Sequence, residues 1–114
     1  MTARYQCNSL EELTQELRKF AGERQWEPFH TPKNLAAALI VEAAELLEHF
    51  QWLTAEQSRE LSPATRQEVA HEIADVLIYL TRLADQLGID MLTAASEKMA
   101  LNAKKYPPVS SPSS

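Results

Sequence analysis

The chain has 114 residues, 45% of them hydrophobic, with two glycines and six prolines. That is the size of one domain with one modest core, and the composition excludes a disordered or fibrous chain. A net charge of −5 argues against binding to a nucleic-acid backbone, and an acidic chain that handles phosphates must recruit a cation.

The single cysteine, Cys7, cannot form an intrachain disulfide, so a reducing cytoplasm is the expected location. No apolar run reaches the ~20 residues of a membrane span, and the N-terminus lacks the apolar stretch of a signal peptide. Neither a membrane nor a nucleic-acid polymer is an expected partner.

Residues 1–8 read as an N-terminal arm. Ser9 and Glu12 have the spacing of a capping box, opening a helix through about Arg24 with Leu10, Leu13, Leu17 and Phe20 as its apolar stripe. Gly22 is an internal weakness or an early stop. The stretch Gln25–Pro32 is rich in aromatics and broken by two prolines, so it should be a shaped loop. Thr31 and Pro32 give an N-cap and first-position proline for a second helix, expected to run to about Leu53, where Trp52 would end it. Thr54 and Gln57 suit a short capped turn. Ser62 and Pro63 repeat the start signal for a long helix to about Leu87, stopped by Gly88. Asp90 and Thr93 open a last helix to about Lys105, and residues 107–114 form a Ser/Pro tail. No strand is expected. The fold class is all-α, an antiparallel four-helix-bundle-like subunit spanning residues 9–106, because short connections favour antiparallel neighbours.

Two of these helices carry acids inside apolar surroundings. Glu42 and Glu45 lie among Leu39, Ile40, Leu46 and Leu47; Glu72 and Asp75 lie among Val69, Ile73, Val76 and Leu77. Residues three apart on a helix are neighbours, so each pair aims two carboxylates at one place. If the helices face each other, four acids converge. At ~5.5 Å and an effective dielectric of about 20, each close pair repels by on the order of 3 kcal/mol. Protonation or a hard cation such as Mg²⁺, Mn²⁺ or Ca²⁺ would relieve it. The competing reading is that these acids are wet stripes on a non-catalytic helical oligomerisation module. A carboxylate-bridged di-iron protein is a minor alternative, since only Glu68 and His71 have its Glu-x-x-His spacing on these helices.

No glycine-rich phosphate loop is present, which leaves phosphate handling to metal and basic side chains. On the last helix Lys98, Asn102 and Lys105 share a face, with Lys104 and Tyr106 beside them. A basic C-terminus complementing the helix dipole is the simpler account of any single lysine there. Trp26, Phe29, His30, Trp52 and Tyr79 are rings on which a nucleobase could stack, or else core-edge and subunit contacts.

Taken in order, Trp26-Glu27-Pro28-Phe29-His30 with Lys33 and Asn34, Glu42-x-x-Glu45, Phe50-Gln51-Trp52, Glu72-x-x-Asp75 followed by Tyr79, and Lys98, Asn102, Lys105, Tyr106, Pro107 form a pattern. It resembles the all-α nucleoside triphosphate pyrophosphatases of the MazG-like superfamily, and within it the dCTP-hydrolysing branch. The resemblance covers about Ser9 to Pro107. It implies Mg²⁺-dependent hydrolysis of a deoxynucleoside triphosphate to the monophosphate and pyrophosphate, in a homotetramer. Glu42, Glu45, Glu72 and Asp75 would hold Mg²⁺, with Glu45 also the choice for general base. Trp26, His30, Asn34, Trp52, Tyr79, Asn102 and Tyr106 would bind the nucleotide. Lys98 and Lys105 would reach its phosphates, from a neighbouring subunit if need be. Against the animal forms, the insertion between the metal helices and the tail are both short.

Overall fold

A computed structural model describes residues 5–109. Among them are five α-helices and one 3₁₀ turn, and no strand: α1 Leu10–Glu23, the 3₁₀ turn Glu27–Phe29, α2 Pro32–Glu48, α3 Ala55–Ser58, α4 Pro63–Leu87 and α5 Met91–Lys105. The capping signals act as expected. The hydroxyls of Ser9, Thr31, Thr54 and Ser62 and the carboxylate of Asp90 each accept a backbone N–H three residues on. The Thr54–Gln57 capping box is complete in both directions.

Two helix ends position the rest. α4 stops where Gly88 adopts a left-handed φ of 66°, with Ile89 N–H donating to the Ala84 carbonyl at 2.9 Å. α1 stops in the same hydrogen-bonding pattern, a Schellman motif. Trp26 N–H donates to the Ala21 carbonyl at 3.0 Å and Gln25 N–H to the Gly22 carbonyl at 3.1 Å. Here the left-handed residue is Gln25, at φ 57°. Gly22 thus stays inside the helix, and the reversal brings Trp26 back over α1.

One boundary differs from the sequence reading. α2 ends at Glu48 rather than near Leu53, and residues 49–53 follow as turns held by short bonds such as Phe50 N–H to the Leu47 carbonyl and Leu53 N–H to the Phe50 carbonyl, both 2.9 Å. Trp52 therefore sits beyond the helix, 87% exposed. His49, Phe50 and Trp52 lose side-chain freedom in a helix, and Trp52 gains almost no packing within this chain to offset that.

α2 and α4 form an antiparallel hairpin that is the main interface, and α1 lies on α4. The fully buried hydrophobic residues are only Ala21, Leu35, Val69 and Ala84 among those described. α5 buries none of its residues. The radius of gyration is 17.9 Å, against about 13 Å for a compact chain of this length. Ile40 and Leu47 on α2, Ile73 on α4, and Leu92, Met99 and Leu101 on α5 are each more than half exposed. Such a set is larger than scattered surface apolar residues would give. No described helix is long and apolar enough to cross a membrane.

The N-terminal arm is described from Tyr5, whose ring meets Phe20 edge-on at 6.0 Å. The Ser/Pro tail lies outside the described residues beyond Val109.

Candidate functional site

The hairpin brings the two acid pairs together. Glu42, Glu45 and Glu72 each present a carboxylate oxygen within 4.8 Å of the others, and all three are half-buried. A single hard cation keeps its oxygen ligands about 3–4 Å apart, so the triad has nearly closed around the space one ion needs. Asp75 lies outside that tight group, yet its charge is among those acting on Glu42. Three acids therefore converge, and the fourth stands one turn along α4.

Two observations test whether these residues fit a cation. Glu42 Oε2 and Glu72 Oε2 are buried without a hydrogen-bond partner, and buried polar atoms are nearly always satisfied by protein, water or ion. Glu42 also titrates abnormally: removal from water first, then its contact with Glu45 and the charges of Glu45 and Asp75, pushes its pKa from 4.5 up to about 7. A hard cation would satisfy both orphaned oxygens and cancel the repulsion. The donor set is all oxygen, which suits Mg²⁺, Mn²⁺ or Ca²⁺. The di-iron alternative gains nothing, since His71 is exposed and bonded to Gln67 at 2.8 Å.

Beyond the acids, between α1, the loop after it and α4, lies a cavity of about 290 Å³. Leu13, Leu17, Phe20, Trp26, His30 and Tyr79 line it. Tyr79 is one turn beyond Asp75, so one helix connects the carboxylates to the cavity. The Schellman turn seats Trp26 edge-on to Phe20, with ring centroids 5.7 Å apart, and 5.8 Å from His30. Arg24 covers the other part of Phe20, its guanidinium 3.4 Å from the ring centroid.

Of the residues singled out in the sequence, Trp26, His30 and Tyr79 meet in this cavity. Asn34 does not line it; its side-chain amide donates to the Phe29 carbonyl at 3.0 Å and so fixes the loop that carries His30. Trp52 is far too exposed to line it within this chain. Lys98, Asn102, Lys105 and Tyr106 are all exposed on or just after α5 and are absent from its walls. Two residues that pattern reasoning passed over do line it: Phe20, read only as core stripe, and Arg82. Arg82 is a charged residue, 3% exposed, in an apolar stretch near the C-terminal end of α4. Its place between Leu80 and Leu83 was the available signal.

The profile of the MazG-like family matches residues 38–111, which takes in both acid pairs. The chain belongs to the MazG-like family. It is 42% identical over 101 residues to human dCTP pyrophosphatase 1, and 41% identical over 101 residues to the mouse protein of that name. Those alignments take in 87% of this chain and 59% of each relative, so the chain spans about three-fifths of their length. A crystal structure of a pyrophosphatase from Archaeoglobus fulgidus superposes with a TM-score of 0.83 at 42% identity, covering 94% of this chain and all of that one.

Proposed function

We propose that this MazG-like protein is a Mg²⁺-dependent nucleoside triphosphate pyrophosphohydrolase that prefers dCTP and releases dCMP and pyrophosphate. The observation that carries the proposal is the carboxylate triad on the α2–α4 hairpin, about two helical turns along α4 from an aromatic cavity large enough for a nucleobase. The activity named for the human, mouse and archaeal relatives supports the reaction, and the two dCTP pyrophosphatases support the base.

Glu42, Glu45 and Glu72, with Asp75 behind them, would hold the ion. Mg²⁺ there supplies charge neutralisation for the phosphate oxygens and polarises an attacking water. The chain's own part is to orient and to move a proton. Glu45 takes the proton from the water, whose oxygen bonds to the α-phosphorus as the bond to the bridging oxygen breaks. The electron pair leaves with pyrophosphate. Trp26, His30 and Tyr79 enclose the base and exclude water from it.

The remaining residues require a second copy. α5 contacts too little of its own chain to deliver Lys98, Asn102, Lys105 and Tyr106, and the exposed apolar faces of α2, α4 and α5 are suited to self-association. In a homotetramer, α5 of a neighbour would bring the lysines to the phosphates and Asn102 to the base edge, and Trp52 would close over the ring.

A panel of dNTPs and NTPs with Mg²⁺, scored for pyrophosphate against phosphate, tests the assignment. Pyrophosphate release highest with dCTP is expected. Single-phosphate release, or no turnover of any nucleotide, would refute it.

A further inference from the structure

Arg82 belongs to no part of the proposed chemistry, yet it lines the cavity with its side chain 4% exposed. A buried guanidinium is retained only where its donors are used. Its Nη1 donates to Asp85 Oδ2 and its Nε donates to His30 Nδ1, each at 3.3 Å. Asp85 is itself held from outside by Arg18, whose Nε donates at 2.8 Å. The two arginines keep the Asp85 carboxyl below its ordinary range, Arg18 through its hydrogen bond most of all. The chain Arg18–Asp85–Arg82–His30 thus runs from solvent to the cavity wall.

Its last link has a chemical consequence. Arginine is always protonated and has donors only, so the ring nitrogen it meets must offer a lone pair. If His30 Nδ1 accepts, the neutral imidazole carries its proton on Nε2. Burial, and secondarily the Arg82 charge, disfavours the imidazolium, which would set an N–H against the guanidinium. Trp26 also packs against the ring, with centroids 5.8 Å apart. Nε2 is then the nitrogen left for a ligand.

We infer that Arg82 is a positioning residue that holds His30 as the Nε2–H tautomer, so that the cavity offers the base a hydrogen-bond donor. This deepens the proposed function and rests on the cavity being the nucleoside site. Placed opposite N3, the donor suits the lone pair of cytosine, whereas thymine and uracil present N3–H there, and a donor opposed to a donor stays unsatisfied; O2, an acceptor in all three bases, would not distinguish them. Part of the discrimination between cytosine and the other pyrimidines is thereby placed on His30 and, through it, on Arg82.

The tautomer can be read without nucleotide or metal. In ¹⁵N-labelled protein, long-range proton–nitrogen correlations of the His30 ring should show a protonated Nε2 and a lone-pair Nδ1. A protonated Nδ1 would overturn the inference. In Arg82→Met the two ring nitrogens should move toward averaged positions. Unchanged nitrogen shifts together with wild-type affinity for dCMP would overturn it too. Should that variant not fold, a pair of substitutions at His30 carries the test. Glutamine places its amide near Nε2 and asparagine near Nδ1. Metal-free calorimetry with dCMP should therefore find His30→Gln within about threefold of wild type and His30→Asn weaker by about tenfold, the worth of one hydrogen bond. Equal losses in the two variants would refute a donor at Nε2. Failure of the wild-type protein to bind dCMP would instead remove the nucleoside reading, leaving the tautomer to be decided by the spectrum.

Discussion

Substituting glutamine for Glu42 should stabilise the metal-free protein while destroying its function. The carboxyl of Glu42 is pushed from 4.5 up to about 7, by burial first and by its acidic neighbours second. At 1.36 kcal/mol per pH unit, ionising it in the folded state costs about 3 kcal/mol more than in the unfolded chain. Glu42 is only half-buried, so solvent screening reduces this to on the order of 1 kcal/mol. Glutamine keeps the shape and has no charge to desolvate. The sign with pH follows from proton linkage. The folded state binds this proton more tightly than the unfolded chain, so the contribution is full below about pH 4.5 and lost as pH rises through about 7. At pH 8 without metal, Glu42→Gln should therefore melt about 4–6 °C above wild type, and at pH 4.5 the gap should close. Added Mg²⁺ should raise the melting temperature of the wild type more than that of the variant, by mass action. Differential scanning calorimetry at fixed protein concentration decides it. A variant that melts at or below wild type at pH 8, or a gap independent of pH, would refute the reasoning. Turnover of the variant should be nearly abolished in the same preparation.

Gln25→Gly should raise stability by about 1 kcal/mol, since glycine takes a left-handed backbone without the Cβ clash; urea denaturation that finds no gain would place the strain elsewhere. Gly22→Ala should also be stabilising, by about 0.5–1 kcal/mol, because an added Cβ meets nothing nearer than Glu27 Oε1 at 3.5 Å; a loss in the same experiment would contradict this. Asn102→Ala should lower the dCTP-to-dTTP ratio of kcat/KM, whereas Trp52→Ala should weaken all substrates alike; an unchanged ratio in Asn102→Ala removes that residue from base reading. Light scattering should find an oligomer, and a 12.9 kDa species at micromolar concentration would exclude self-association.

Much of the molecule is determined by neighbours in sequence. The starts of α1 to α5 were legible because an N-cap acceptor and the backbone N–H that donates to it lie three residues apart, and a local hydrogen bond forms wherever the chain allows it. The pairing of Glu42 with Glu45 and of Glu72 with Asp75 was legible for the same reason, through helical period. What the sequence left open depends on contacts across the fold. The glutamine that ends α1 resembles no stop signal, because its left-handed φ is imposed by the hydrogen bonds on either side of it. α2 stops early, at Glu48, and the hairpin gives Trp52 beyond it almost nothing to pack against. The meeting of Glu42 with Glu72, and of Arg82 with His30 across 52 residues of chain, exists only once α2, α4 and the loop after α1 are docked. Period places a side chain on a face; only packing decides which face of another element it meets, because that choice is made by burial summed over the whole interface.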